Sequence, residues 1–478
     1  PAGLSLRLSW NAAATPNSTK PQRKEGRAME LPVKQFQTRA EQAYLDLFKA
    51  AEQALPGAGN PWTADLRAKA IDAYAALGLP HRRVEAWKYT DLRSRLVEAL
   101  PLSRATGMAL APAELERALG REIATLPAYR LVMLDGELRA DLSDIAELKA
   151  AGIELVSLTE ALQKPPSWLK QSLGQINHQD RDPIVALNLA LMSGGVAMRA
   201  AKGLTLDKPV HLIHLDAGTD PASVFTRNIV LLEDGASLTL LESYGSLGGR
   251  DVQRNAVTEV QVGDKASLNH FKLQREAEEA FHLGTWLVKL GTDARYHAFQ
   301  FSTGAVLSRN QVYAAFAGEG SAFELSGALL MRHHQHCDTT LVIEHLVPRC
   351  SSRELFKAVL DNEARGVFQG KIIVSPGAQK TDGKQMVQAL LLAEGAEFDS
   401  KPELEIFADD VVCGHGSTSG QIDEDLLFYL EARGIPEAEA RALLIQAFVG
   451  EALECIEHEG LRDALSRASA EWLGVSFD

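Results

Sequence analysis

Cysteine is scarce in this 478-residue chain, and no apolar run is long enough to span a membrane. The four cysteines include no C-x-x-C pair, which excludes a disulfide-stapled scaffold and favours a reducing compartment. No apolar stretch approaches the roughly 18 residues that a membrane-spanning helix needs. Basic residues are outnumbered, since 49 Lys and Arg face 63 Asp and Glu for a net charge of −14. That sign argues against non-specific binding of nucleic acids or anionic membranes.

Common nucleotide-binding and hydrolase signatures are also absent. The sequence contains no G-x-x-x-x-G-K-[ST] loop, no G-x-G-x-x-G after a strand and no G-x-S-x-G nucleophile elbow. We therefore expect no nucleotide hydrolysis by this chain alone. Apolar residues make up 46% of the chain and charged residues 23%, which is ample material for a folded core.

Residues 1–28 differ in composition from the rest of the chain. They hold five basic residues and one acid, Glu25, and show no hydrophobic period. Met29 is a plausible start residue, so we expect residues 1–28 to be an expression leader or an upstream misassigned start. The alternative is an organelle transit peptide, which the low acid content also permits.

Residues 29–165 are predicted to form an α/β domain that is mostly helical. Apolar residues recur at helical spacing over Val33–Leu55, and Thr63 is a candidate N-cap for a second helix over Ala64–Leu77. The run Tyr129–Leu134 is followed by Asp-Gly, which predicts a strand that enters a tight turn.

A repeat dominates the centre of the chain. Strand-like runs open, at spacings of 30, 28 and 28 residues, with Ala236, Ala266, Ala294 and Ala322. A second marker keeps nearly the same step, in the pairs Arg227-Asn228, Arg254-Asn255 and Arg309-Asn310. A sandwich needs no such period and a propeller blade takes roughly 40 residues, so the pattern favours a stacked solenoid. We predict a parallel β-helix over residues 166–418.

Helical patterns return in residues 419–478. Asp423 is a candidate N-cap for a helix over Glu424–Arg433, and a longer helix follows with a broad apolar stripe over Leu443–Ile456. A last helix is predicted over Leu461–Trp472. The predicted fold class is mainly β with α caps, in which an N-terminal α/β domain and a C-terminal helical domain flank the β-helix.

A tract of histidines, His333-His334-Gln335-His336-Cys337, is the first candidate metal site. On a strand, His334 and His336 would share one face while His333 and Cys337 would share the other. Each face then offers two ligands, whereas a complete site needs three or four. A polar ladder on the solenoid surface is the favoured interpretation, and metal binding is the alternative.

A second candidate lies near the end of the solenoid, at Cys413 and His415. An extended chain places both side chains on one face, and their sulfur and nitrogen donors suit iron or zinc. Gly414 and Gly416 leave the imidazole sterically open to a partner chain. Two ligands cannot close a tetrahedral site, so further donors would come from another subunit. The alternative is a turn into the helical domain, with Cys413 buried.

Several motifs resemble the SufB/SufD family of iron–sulfur cluster assembly proteins. They are Glu85–Thr90, Phe356–Leu360, Gly366–Ile372, Lys401–Ile406, Asp409–Gly420 and Leu427–Ile435. The resemblance runs from about residue 30 to the end of the chain. Cys-Gly-His-Gly at 413–416 is more similar to the SufD branch than to the SufB branch, which has Cys-Glu-His-Glu there.

The resemblance implies a right-handed parallel β-helix and a non-catalytic scaffold subunit of a SufBCD complex. Its implied partners are a SufB-like paralogue and the SufC ATPase, which hydrolyses the ATP and docks on the C-terminal helices. The implied site is a cluster-building interface with the paralogue, to which His415 and its neighbour Cys413 contribute as metal ligands. The cluster is transient and forms in the complex. Flavin in the complex, a homodimer of the isolated chain and a bacterial cytoplasmic location are further expectations.

Two other functions were weighed against the scaffold role. A SufB-type subunit that accepts persulfide is disfavoured by Gly414 and Gly416. A β-helix enzyme acting on polysaccharides would need a cluster of carboxylates on one solenoid face, which the sequence does not display.

Overall fold

The computed structural model describes residues 38–176 and 182–474. Residues 1–28, expected to be a leader, lie outside the described residues, as does the beginning of the helix predicted over Val33–Leu55. In the described ranges, no helix is long and apolar enough to cross a membrane.

Short helices and two strand pairs make up the first part of the chain. The helices are α1 (Arg39–Ala51), α2 (Pro61–Leu77), α3 (Leu92–Arg95), α4 (Pro112–Leu119), α5 (Arg121–Thr125), α6 (Ile145–Ala150), α7 (Leu158–Gln163), α8 (Ser167–Lys170) and α9 (Pro183–Leu191). The strands in this part are β1 (Tyr129–Leu134), β2 (Glu137–Leu138), β3 (Ile153–Ser157) and β4 (Val196–Ala200). The strand predicted over Tyr129–Leu134 is confirmed as β1.

The start of α2 corrects one prediction. Asn60, rather than Thr63, is the N-cap, and its side-chain oxygen accepts a hydrogen bond from the backbone N–H of Trp62 at 3.0 Å. The proline that follows Asn60 has a fixed backbone angle that suits the first helical position, so the helix begins before the predicted residue. Thr63 lies inside the helix and donates its hydroxyl to the backbone oxygen of Leu162.

The solenoid continues with longer strands, and three helices follow it. The strands are β5 (Val210–Asp216), β6 (Ala222–Leu232), β7 (Ser237–Ser246), β8 (Val252–Val262), β9 (Ser267–Arg275), β10 (Phe281–Leu290), β11 (Arg295–Ser302), β12 (Leu307–Phe316), β13 (Ala322–Met331), β14 (His336–His345), β15 (Ser351–Leu360), β16 (Arg365–Val374), β17 (Asp382–Leu391), β18 (Glu397–Ile406) and β19 (Val412–Gly420). The helices are α10 (Glu424–Ala432), α11 (Glu437–Leu453) and α12 (Glu459–Leu473).

The strands form two long sheets, and successive strands alternate between them. One sheet runs β19-β17-β15-β13-β11-β9-β7-β5-β1-β2 and the other β18-β16-β14-β12-β10-β8-β6-β4-β3. From β5 onward every pairing is parallel, whereas β1 with β2 and β3 with β4 pair antiparallel. The predicted fold class, a mainly β protein with a parallel β-solenoid and helical flanks, is confirmed.

The alanine repeat corresponds to a column at one corner of the solenoid. Ala236, Ala266 and Ala294 are fully buried, and each carbonyl accepts a backbone hydrogen bond from the residue that opens the strand above. Only a small side chain fits where successive turns stack this closely. The spacings of 30 and 28 residues predicted from these three alanines are therefore structural, but Ala322 lies outside the column, because it pairs in register with Arg295 and Ser321 is the residue that stacks on Ala294.

The Arg-Asn marker does not stack, and its apparent period has another cause. Arg254 pairs in register with Val224 rather than with Arg227, and Arg309 pairs with Leu283, one position away from the register of Arg254. Each of the three arginines is instead buried in its own ion pair with an acid. The Arg-Asn pair therefore recurs in the sequence at positions that are not equivalent in the solenoid.

Helices cover the outer face of each sheet. The helices before the solenoid pack on outward side chains of β6, β10 and β12, such as Phe225 and Leu283. The helices after it pack on outward side chains of the other sheet, where Ile445 and Val449 of α11 meet Val359 of β15. The interior between the sheets is filled mainly by aliphatic and aromatic residues.

The predicted domain boundaries at 165/166 and 418/419 stay a prediction. Two strands before residue 166 join the sheets, because β1 pairs with β5 and β3 pairs with β4. At the other end, β18 and β19 are the terminal strands of their sheets. In the described part of the chain no further strand covers them.

Candidate functional site

Cys413 and His415 lie on β19, the terminal strand of the ten-stranded sheet. In register with them on β17 are Gly383 and Gln385. Cys413 packs beside Ile372 in the apolar cluster at the end of the interior. Because side chains two apart on a strand share a face, His415 points to the same interior side.

The interior is open at this end of the solenoid. No described strand covers β18 or β19, so their inward side chains reach the surface. His415 is exposed and Cys413 is half-buried. Farther along the same face, the Ser417 hydroxyl donates to the Ser400 hydroxyl of β18 at 2.8 Å, which ties the two terminal strands together. A sulfur and an imidazole donor thus stand at the mouth of the coil.

The two glycines beside His415 differ in what they leave free. A Cβ on Gly414 would meet no atom within 4 Å, so this position presents open backbone. A Cβ on Gly416 would lie 2.6 Å from the methyl group of Met386, so the side chain of Met386 occupies this space. Gly414 thus leaves the outer face of β19 open, whereas His415, on the opposite face, is exposed at the end of the solenoid.

One cavity of about 680 Å³ adjoins both donors. It extends from the terminal strand across β17, β15 and β13 to the end of α11. Its lining residues are Glu324, Ser326, Arg353, Glu354, Leu355, Lys384, Gln385, Met386, Val412, Cys413, Gly414, His415, Gly416, Glu451 and Cys455. Because α11 packs on the outer face of this sheet, the cavity lies on that face, and Cys413 and His415, whose side chains point inward, border it from the strand.

Glu354 is a buried, inward-facing acid that the sequence reasoning missed. It lies on β15, in register with Gln385 and, one strand farther, with His415. Its side chain is 3% exposed, and neither carboxyl oxygen has a hydrogen-bond partner in the described residues. Burial raises the pKa of Glu354 to about 8, and the Ser352 hydroxyl and the Arg353 guanidinium offset this only in part. The alternation Ser-Arg-Glu-Leu-Phe-Lys was a usable signal, because it places Glu354 on the face of Phe356.

The thiol of Cys413 is held in its protonated form. Burial raises the pKa of Cys413, a backbone hydrogen bond from Gly383 opposes the rise, and the charge of Asp382 adds to it. The thiolate is the species that attacks sulfur or binds metal. Binding of a cation at Cys413 would therefore release a proton.

The residues of the histidine tract do not come together as a metal site. The predicted strand arrangement is wrong, because β14 begins only at His336 and His333 lies in a turn with a positive φ of 57°. His334 is exposed next to Glu363, His336 is buried against the Thr90 hydroxyl at 2.9 Å, and Cys337 is in the interior. Among the residues described, no group of three or more His, Cys, Asp or Glu is arranged to hold a metal ion.

A buried network of charged residues lies deeper in the solenoid, and sequence reasoning missed it too. The His270 imidazole is 3.0 Å from the Glu242 carboxylate, and the Arg254 guanidinium is 2.6 Å from Glu276. The His282 ring lies 2.7 Å from the second oxygen of Glu276. All are buried, and each acid has a basic partner, so the network is internally compensated.

Exposed apolar side chains gather beside the terminal coil and on α10. No residue of α10 is buried, and Leu426, Phe428 and Tyr429 are all exposed. Next to β18 and β19, Phe407 and Val412 are exposed as well. Monomeric proteins rarely expose several large apolar residues together, so both places are candidate contact surfaces.

Comparisons with known proteins identify the family of this chain. The family model "SUF system FeS cluster assembly, SufBD core domain" matches residues 214–448, and "SufBD protein N-terminal region" matches residues 38–212. An iron–sulfur cluster assembly SufBD family protein of Synechocystis is 31% identical over 427 residues, which cover 87% of this chain and 92% of that protein. The chain belongs to the SufBD family. The resemblance noted from its motifs is confirmed.

Other relatives of this SufBD protein carry the name SufD. SufD of Escherichia coli is 33% identical over 390 residues, covering 80% of this chain and 87% of its own length. SufD of Bacillus subtilis is 25% identical over 436 residues, covering 89% and 96%. This SufBD protein is therefore a SufD-like member of an iron–sulfur cluster assembly family, and both candidate donors lie within its matched core domain.

Proposed function

We propose that this SufBD protein is a non-catalytic scaffold subunit of a SufBCD-type complex, in which His415 and Cys413 contribute to a cluster-building interface with a SufB-like partner. The observation that carries the proposal is the position of these donors at the open end of the solenoid. Sulfur and imidazole ligands suit iron, and two of them leave coordination positions for donors from a second chain. The iron–sulfur cluster is the transient product of the complex.

The terminal coil supports the choice of partner. The outer edges of β18 and β19 have no described strand partner, and an unpaired strand edge is a template for a strand of another chain. Phe407 and Val412 add exposed apolar surface at the same place. A SufB-like paralogue, which would end in a similar coil, is a matching occupant.

We assign the ATPase to the exposed face of the C-terminal helices. The apolar stripe of α11 is used for packing, since Ile445, Val449 and Leu453 are buried against the solenoid. The exposed aromatic residues of α10, Phe428 and Tyr429, are left for an ATPase of the SufC type. ATP hydrolysis belongs to that partner in this proposal.

Three further expectations belong to the same proposal. A flavin would bind in the complex rather than to this chain alone, the isolated chain would form a homodimer, and the complex would work in the bacterial cytoplasm. The homodimer draws support from the same uncovered edges of β18 and β19. A persulfide-accepting role is less well supported, because burial raises the pKa of the Cys413 thiol and so lowers the fraction of reactive thiolate.

The ligand role is tested by substitution at the open end. We expect His415→Ala to fold and to bind its partners, because His415 is exposed and makes no described hydrogen bond that the fold needs. We expect it to lower cluster assembly in the purified complex and to fail in complementing a strain that lacks this subunit. Cys413→Ser should have a smaller effect on assembly. Ser417→Ala is the matched control, since it changes the same face of β19 without removing a metal donor. Full complementation by His415→Ala would refute the ligand role.

The two contact surfaces are tested by crossed variants. Phe428→Ala should weaken binding of the ATPase and leave paralogue binding unchanged. Phe407→Ala should weaken binding of the paralogue and leave ATPase binding unchanged. Loss of a buried aromatic anchor costs about 2 kcal/mol, or about 30-fold in affinity. Both side chains are more than 60% exposed, so the fold should tolerate either change. Equal effects of one variant on both partners would contradict the assignment of separate surfaces.

A further inference from the structure

We propose that residues Glu85–Thr90, which we call the strap, position the terminal strand β18 for the partner that binds the open end of the solenoid. This inference rests on the proposed function, because the partner is the SufB-like paralogue. The strap is a sequence motif that neither the cluster-building interface nor the ATPase surface uses. Its residues act through β18, so they are positioning residues and not metal ligands.

The strap lies across the outer face of the nine-stranded sheet. Its polar contacts fall on four strands, at Arg309 of β12, Asp338 of β14, Gln369 of β16 and Lys401 of β18. These strands are consecutive neighbours in the sheet, about 4.8 Å apart, so the contacts span roughly 14 Å from a covered strand to the terminal one. A short segment that precedes the solenoid in the chain therefore ties four successive turns together.

Buried contacts fix the strap over β12 and β14. The Trp87 side chain is 2% exposed, and the centre of its ring lies 3.8 Å from the guanidinium carbon of Arg309. The same guanidinium donates a hydrogen bond to the backbone oxygen of Ala86 at 2.7 Å. The buried Thr90 hydroxyl donates to the Asp338 carboxylate. Because these polar groups are removed from water, breaking their contacts is costly, and this part of the strap is a firm base.

From this base the strap reaches the terminal strand. The backbone oxygen of Ala86 also accepts a hydrogen bond from the Gln369 side chain of β16 at 3.1 Å. One residue earlier, the Glu85 carboxylate forms an ion pair with the Lys401 ammonium of β18. The hydrogen bond and the positive charge of Lys401 lower the pKa of Glu85. Among the described residues, no other hydrogen bond or ion pair joins β18 to the chain before the solenoid.

The charge pattern of β18 singles out Lys401. Phe398 packs toward the interior, so the outward side chains of this strand are Glu397, Asp399, Lys401, Glu403 and Glu405. Lys401 is the single base among these five, and it stands where the Glu85 carboxylate arrives. Glu403 lies 3.2 Å from the same ammonium, on the same strand. A fifth acid at position 401 would repel Glu85, so the sequence of β18 is matched to the strap.

Support of β18 matters because this strand is bonded to a neighbour on one side only. A terminal strand that is already held in place loses less conformational freedom when a partner binds to it. The other terminal strand, β19, has no such ion pair with the chain before the solenoid in the described residues, and its outer face is open at Gly414. The strap thus presets one of the two strands that form the open end.

A charge swap between residues 85 and 401 tests the strap in the full-length chain. Glu85→Lys places a second base beside Lys401, so we expect faster hydrogen–deuterium exchange of β18 and about fivefold weaker binding of the purified paralogue. The double variant Glu85→Lys with Lys401→Glu should restore most of both. Glu98→Lys is the matched control, because it makes the same charge change at an exposed glutamate that has no ion pair in the described residues. ATPase binding and the melting temperature should stay unchanged in all three variants.

The possible outcomes separate a positioning role from a general structural one. Faster exchange of β18 and weaker paralogue binding in Glu85→Lys, both reversed in the double variant, support the strap. Parent-like exchange of β18 in Glu85→Lys overturns it, as does a double variant that behaves like the single one or an equal loss in Glu98→Lys. A lower melting temperature with equal losses of ATPase and paralogue binding also overturns it. If the parent chain does not bind the paralogue, the proposed function fails, and exchange of β18 alone then decides the strap.

Discussion

Glu354→Gln should change how stability depends on pH. The carboxyl of Glu354 has its pKa raised by burial from the ordinary value of 4.5 to about 8. Between these two pH values the folded protein keeps a proton that the unfolded chain has lost. The free energy of unfolding therefore falls as pH rises through this window, and the loss is complete above about pH 8.

The size of the effect follows from the window. Each pH unit inside it costs the parent protein about 1.4 kcal/mol, so two units, from about pH 5 to about pH 7, cost about 3 kcal/mol. Glutamine has nearly the same shape and does not ionise, and so the variant avoids this loss. Its unpaired amide adds a cost that is independent of pH. The quantity to measure is therefore how the difference in unfolding free energy between variant and parent changes with pH, and not the size of that difference at one pH.

The assay is urea unfolding of parent and variant, followed by tryptophan fluorescence at several values between about pH 5 and pH 8. The stability of Glu354→Gln relative to the parent should rise steadily across the series. Glu324→Gln, which changes an exposed carboxylate on the neighbouring strand β13, should show no comparable trend. Infrared spectra offer a second readout, since a protonated carboxylic acid band at neutral pH should vanish in Glu354→Gln. A stability difference that is constant with pH would refute the reasoning.

Three further predictions follow from buried groups. Arg309→Met should lower the free energy of unfolding by about 3–5 kcal/mol in urea, because it leaves the buried Asp338 carboxylate without its ion pair and removes the cation that lies 3.8 Å from the Trp87 ring. A loss below about 1 kcal/mol would contradict this. Thiol labelling of the native protein should modify Cys413 and Cys455 and spare the two buried cysteines, so four rapidly reacting thiols would be the contrary result. Acidification from about pH 6.5 to pH 4 should lower the melting temperature. Burial lowers the pKa of five histidines to about 3 or 4, so in this range the unfolded chain binds protons that the folded protein does not. A rising melting temperature would contradict this. The five histidines are His211, His214, His282, His336 and His345.

Much of the fold could be predicted from the sequence because its elements are set by local patterns. The strand at Tyr129–Leu134 and the helices predicted over Glu424–Arg433 and Leu461–Trp472 have observed bounds within two residues of those predicted. The alanine column revealed the repeat because the corner at Ala236, Ala266 and Ala294 admits only a small side chain. The family resemblance rested on motifs that lie largely in the terminal coils.

Register was the part that sequence alone did not provide. The Arg-Asn pairs suggested a stack, yet Arg254 lies opposite Val224. A shift of one residue moves a side chain from the interior to the outer face, and a period near 28 residues does not fix such a shift. The same limit hid Glu354, because its column with His415 exists only once three strands are aligned. Buried ion pairs were missed for the same reason.

The number of stacked turns also sets a distance within the molecule. Eight strands of one sheet, from β5 to β19, are all parallel neighbours in one order, so the span between them is set by the number of turns at about 4.8 Å each, or roughly 34 Å. Helix α11 is seated on β13 and β15, whereas His415 is on β19. Removing one whole turn between those points would preserve every local rule of the fold and still bring the donors about 5 Å closer to the helices. The number of turns in the solenoid thus sets the distance between His415 and the C-terminal helices.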